Sequence, residues 1–62
     1  MLADFASHCG GWFPAARILA EIADQFDGDP TPEAVTMSTQ CRRDSLICLM
    51  QAVTLQRLAG VA

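Results

Sequence analysis

Apolar positions along this chain recur at helical spacing almost from end to end, with two interruptions. Leu2, Phe5, Ala6 and Cys9 fall three or four residues apart, which predicts a short helix over residues 2–9. Gly10-Gly11 ends it, because glycine accepts the left-handed backbone that closes a helix, and two in succession mark a bend. Residues 14–27 carry the clearest pattern. Pro14 suits a first turn, where its missing N–H has no partner to lose. Trp12, Ala15, Leu19, Ile22, Ala23 and Phe26 share one face, and Arg17, Glu21, Asp24 and Gln25 share the opposite one, so this is an amphipathic helix with one wet side. Alanines at 15, 16, 20 and 23 favour helix and permit a neighbour to approach closely.

Asp27-Gly28-Asp29-Pro30 reads as a turn, with Gly28 just past the helix end. Thr31 is placed as an N-cap, Pro32 as the first helical residue, and Glu33 near the positive end of the helix dipole. So short a connection predicts that the flanking helices lie antiparallel as a hairpin. The second of them covers residues 32–58. Val35, Thr36, Ser38 and Thr39 are mediocre helix formers. They leave residues 34–39 open between helical, frayed and partly extended, with Ser38 or Thr39 available as a second cap, so residues 32–60 form one helix or two. From Gln40 onward helix is expected. There Leu46, Ile47, Cys48, Leu49, Met50, Ala52, Val53, Leu55 and Leu58 surround nearly the whole circumference. A helix apolar almost all round is covered on more than one side. The helix over residues 14–27 covers one side and the N-terminal helix a second, so the remainder is expected to meet another chain. Residues 60–62 are expected to fray. The predicted fold is all-α: a short N-terminal helix followed by an antiparallel helical hairpin, residues 1–62 as one small domain, packing as a dimer or with a partner.

Composition strengthens the expectation of a partner. A chain of 62 residues buries only about 60% of its unfolded surface, and ordering it costs roughly 1.5 kcal/mol per residue. Yet 52% of its residues are apolar and only 18% charged, against roughly 25% charged in typical soluble domains. The surplus apolar side chains need a subunit interface. The net charge is −3 with no lysine, which disfavours nucleic acid, because phosphate binding needs a dense positive surface. Only a local contact through Arg42-Arg43 stays open. The longest strongly apolar stretch, residues 46–50, is ended by Gln51, far short of the roughly 18 residues that span a membrane. The N-terminus has no basic segment and carries Asp4 where an export signal would be apolar, so a cytoplasmic protein is expected.

Candidate chemistry is sparse. Three cysteines, Cys9, Cys41 and Cys48, cannot all pair with one another. Reduced core thiols are expected, with a Cys9–Cys41 or Cys9–Cys48 staple or an intersubunit bridge as the alternative. His8, Cys9, Cys41 and Cys48 are possible metal ligands, but Cys41 and Cys48 stand about 10 Å apart along a helix, and close ligand pairs are missing. No metal or cofactor is expected. His8 near a helical cysteine resembles a nucleophile pair, but its place at the end of the first helix, where positive charge is favoured, gives it a simpler role. A helical hairpin offers little concavity for a substrate, so no catalytic residue is nominated. Asp24, Asp27 and Asp29 lack the alternation and closing glutamate of a calcium loop and read as a solvated acidic turn.

The residues nominated for partner binding are Trp12, Phe13, Leu46, Leu49, Met50, Val53, Arg42 and Arg43. Tryptophan fills pockets at binding hot spots, though Trp12 has a second role open to it as the cap of the hairpin core. Arg42 and Arg43 read as a solvated pair, then as a rim ion pair with an acidic partner, then as phosphate contacts of a helix-turn-helix. The expected function is a small non-enzymatic protein–protein interaction module, self-associating as a homodimer, binding another protein, or both, with a chaperone-like or anti-activator role. A helix-turn-helix regulator and a structural subunit of a larger complex are the alternatives.

Overall fold

The structure, a computed structural model, describes residues 2–61. Among them are three α-helices and no strand: α1 (Leu2–Cys9), α2 (Trp12–Phe26) and α3 (Pro32–Val61). At 1.5 Å per residue, α3 is about 45 Å long and α2 about half that. The molecule measures 47 × 18 × 16 Å, so α3 sets its whole length.

The glycine pair closes α1 and aims α2. Gly10 has φ +92° and Gly11 φ +136°, both in the region that side chains avoid. The Gly10 N–H donates to the Ser7 carbonyl and the Gly11 N–H to the Ala6 carbonyl at 2.8 Å. That pairing is a Schellman closure. His8 reinforces it: its Nδ1–H donates to the Asp4 carbonyl at 2.9 Å. Helix α2 starts at Trp12, earlier than Pro14, with Gly11 as a cap that has no side chain to offer. Pro14 still falls in the first turn, where an N–H would have gone unused.

The far end of α2 falls where the turn was expected, with Gly28 directly after the cap residue Asp27. Gly28 is not left-handed. The Asp27 backbone stays helical, its N–H donating to the Asp24 carbonyl, and the Asp29 N–H donates to the Phe26 carbonyl at 3.1 Å. The chain therefore leaves α2 through a tightened last turn. Asp29 then organises the next start: its carboxylate accepts from the Thr31 N–H at 3.0 Å. That backbone hydrogen bond, with the Thr31 hydroxyl second, holds the Asp29 carboxyl below its ordinary value. Thr31 caps α3 as its sequence suggests, accepting from the Ala34 N–H at 3.3 Å.

Helix α3 runs unbroken through residues 34–39. Thr36 and Thr39 donate their hydroxyls to the carbonyls of Pro32 and Val35, both at 2.9 Å. Each thus satisfies its hydroxyl on the preceding turn, so the helix continues through two weak helix formers without leaving a hydroxyl unpaired. Neither Ser38 nor Thr39 acts as a second cap. Gly60 and Val61 are helical, so the fraying expected over residues 60–62 is not seen there, and Ala62 lies outside the described residues.

The core is made of small side chains. On α3 the inward positions are Ala34, Ser38, Cys41, Cys48 and Ala52, all buried, with Ser45 half-buried between them. Their spacing of four, three, four, three, four is that of a helix seam. Against it α2 sets Ala15, Ala16, Leu19 and Ala23, with Trp12 and Ile22 packed at the edge. Side chains this small let two helices approach closely. The Ser45 hydroxyl donates directly to the α2 backbone, at the Ala16 carbonyl, at 2.7 Å. Helix α1 folds back onto the same core with Ala6 buried and Leu2, Phe5 and Cys9 partly so.

Candidate functional site

Because the seam takes alanine, serine and cysteine, the large apolar residues of α3 point elsewhere. Leu46 is 61% exposed, Leu49 42% and Met50 68%, and Val35, Met37, Ile47, Leu55 and Leu58 are exposed as well. Val53 is half-buried. Leu46, Leu49, Met50 and Val53 follow each other at i, i+3, i+4 and i+7, one stripe on one face. The stripe adjoins α2. Ala20, Arg42, Ser45 and Leu46 line a common groove, and Phe13, two helical turns before Ala20, lies on that same face of α2. Phe13 is 49% exposed. The Ser45–Ala16 hydrogen bond sets the level: three residues back from Ala16 and four on from Ser45, Phe13 and Leu49 fall at about the same height along the two helices.

Of the nominated partner-binding residues, Phe13, Leu46, Leu49, Met50 and Val53 therefore come together on one face. Trp12 does not join them as an exposed anchor. It is half-buried and packs against the core cluster, the second role open to it. Arg43 is exposed.

Arg42 is committed inside the chain. Its guanidinium bonds Asp24 at 3.2 Å and also Asp27. Asp27 in turn accepts from the Ser38 hydroxyl at 2.9 Å. The acidic turn, read from the sequence as merely solvated, is thus the acceptor side of a clasp that ties the end of α2 to α3. Its contact spacing was available in the sequence: Arg42 lies one helical turn beyond Ser38, so both can reach back across the turn to Asp27. Along the chain the two sides of the clasp lie 15 residues apart, Asp27 in the turn and Arg42 in α3, so only the folding of α3 back along α2 joins them.

Among the described residues, no group of reactive side chains is assembled into a metal site. The three cysteines are free thiols, with Cys41 and Cys48 buried and Cys9 half-buried. Burial pushes the Cys48 thiol above its ordinary value, with Asp44 and Cys9 adding to the effect. A raised thiol is a poor nucleophile at neutral pH. Among the described residues, no group of three His, Cys, Asp or Glu side chains is placed to hold a metal ion. No helix among them is long and apolar enough to cross a membrane. Open depressions hold ≈ 170 Å³ at the α2–α3 turn beside Phe26 and Asp29, ≈ 230 Å³ between α2 and α3 beside Ala20 and Leu46, and ≈ 380 Å³ along the first turns of α3 beside Pro32 and Met37. Comparison with protein-family models, with curated proteins and with solved structures found no significant match to this chain.

Proposed function

We propose that this protein is a small non-enzymatic interaction module, built as an antiparallel helical hairpin buttressed by α1, whose stripe of Leu46, Leu49, Met50 and Val53 with Phe13 packs against another polypeptide and modulates it. One observation carries this reading: the large apolar side chains of α3 lie outside a core made of small ones. Exposed apolar surface of this kind marks sites of association. Free thiols suit a reducing compartment, which favours a cytoplasmic setting. The helix-turn-helix alternative has less in its favour, since Arg42 is already neutralised by two carboxylates and phosphate binding needs free cations.

The test is affinity capture from the native host with the tagged full chain and with Leu49→Glu. A polypeptide, whether another protein or an untagged copy, is expected to be recovered in stoichiometric amount with the first and lost with the second. Recovery identical for both would place the contact elsewhere and overturn the reading.

A further inference from the structure

The three thiols stand unequally to α1. Ser38, Arg42 and Ser45 meet Asp27, Asp24 and Ala16 in turn, so α3 runs toward the start of α2, where the glycine bend attaches α1. The next inward residue past Ser45 is Cys48, fully buried. Cys41 lies two helical turns further back, about 10 Å along the axis. At the near end Cys9 closes α1, half-buried, and packs against the core cluster that holds Cys48. The two sulfurs are near enough for charge on Cys9 to act on the Cys48 thiol. One thiol is open to solvent and the other to the interior, on the two sides of the α1–α3 contact. We infer that Cys9 and Cys48 are a redox pair, which a small disulfide oxidises to an intramolecular bond that latches α1 onto α3.

The exchange balances with glutathione disulfide as the oxidant. The Cys9 thiolate attacks one of its sulfurs and releases one glutathione, leaving a mixed disulfide on Cys9. Cys48 then gives up its proton and attacks the Cys9 sulfur, releasing the second glutathione. The two thiols lose two electrons and two protons, and glutathione disulfide gains them. Burial makes Cys48 the second thiol to react, and α1 has the freedom to admit it. That helix buries only Ala6 and hangs on Gly10 and Gly11, so it opens at low cost. The same freedom lets Cys9 settle at the Cβ spacing of about 3.8 Å that a disulfide requires. Cys9 and Cys48 are 39 positions apart, so the bond closes a long loop, and long loops gain most from closure.

The test holds the purified full chain in native buffer with glutathione disulfide, then blocks the remaining thiols with a maleimide in denaturant and digests with trypsin. Arginines at 17, 42, 43 and 57, with no lysine, put the three cysteines in separate peptides, 1–17, 18–42 and 44–57. Peptides 1–17 and 44–57 are expected to be joined, with Cys41 blocked. Cys41→Ala should form the same bond, and Cys9→Ala should leave Cys48 free. The oxidised chain should melt about 10 °C higher than the reduced one and return to the lower midpoint with dithiothreitol, a shift that Cys9→Ala should not show. Glutathione retained on Cys9 with Cys48 free, or a bond from Cys9 to Cys41 or to a second copy, overturns the pair. A Cys9–Cys48 bond that leaves the midpoint unchanged or lowers it overturns the latch.

Discussion

Single residues divide here into those that satisfy the backbone and those that hold helices together, and the second kind make the sharper predictions. The Ser38 hydroxyl is buried and depends on Asp27. Removing the acceptor leaves that hydroxyl unpaired, at a cost of about 1–3 kcal/mol, whereas removing the hydroxyl leaves only a carboxylate that water can reach. Asp27→Ala should therefore destabilise the fold clearly more than Ser38→Ala in denaturant titrations. The thiols give a second contrast. Cys48 is fully buried with its ionisation suppressed, and Cys41 is buried too, while Cys9 is half-exposed. A thiol reagent should modify Cys9 first and reach the other two only as the protein opens. The linkage has a definite sign. Cys48 ionises less readily folded than unfolded, so its contribution is complete below the ordinary value of 9.0 and diminishes as pH rises through and above it. Alkaline titration of stability should show this fall, and Cys48→Ala should flatten it.

At the scale of elements, boundaries were largely legible because they rest on local chemistry. Residues 2–9, the glycine bend, the Asp-Gly-Asp-Pro turn and the Thr31 cap all follow from residue type and position. Two features were not legible. The first is the manner in which α2 closes: Gly28 stands just past the helix end as read, but it is not left-handed, and Asp27 keeps a right-handed backbone. The second is the continuity of α3 through residues 34–39, where Thr36 and Thr39 turn their hydroxyls onto the preceding carbonyls and the helix carries them as weak formers. Since both threonines are exposed, Thr36→Ala and Thr39→Ala should each raise the melting temperature, by about 0.5 kcal/mol of stability apiece on helix propensity. Gly11 behaves oppositely. A Cβ there would meet only Pro14, at an unstrained 3.7 Å, so space is not the constraint. The backbone is, and Gly11→Ala should cost about 1–3 kcal/mol, read as a lowered denaturant midpoint.

Over the whole molecule, the all-helical class was legible from periodicity, but the orientation of α3 was not. Counting large apolar residues finds them on nearly every side of that helix and cannot say which side faces inward. The deciding signal lies in the small residues, Ala34, Ser38, Cys41, Ser45, Cys48 and Ala52, whose regular seam marks the line of closest approach. Read that way, the sequence separates its interior from its exposed apolar face: small residues bring α2 against α3, and large ones are left over. The eight nominated residues divide accordingly, with five on one exposed face, Trp12 turned to the core, Arg42 drawn into the clasp and Arg43 in solvent.

The unequal lengths of α2 and α3 carry one more consequence. Beyond Ala52 the third helix outruns its companion, and residues 54–60 are all exposed. A helical end without tertiary cover opens readily. Amide hydrogens there should exchange with deuterium far faster than those between Cys41 and Cys48. If a second copy lies alongside and covers the overhang, its exchange should slow as protein concentration rises. The free end of the rod then serves as a built-in gauge of how much of the protein is assembled.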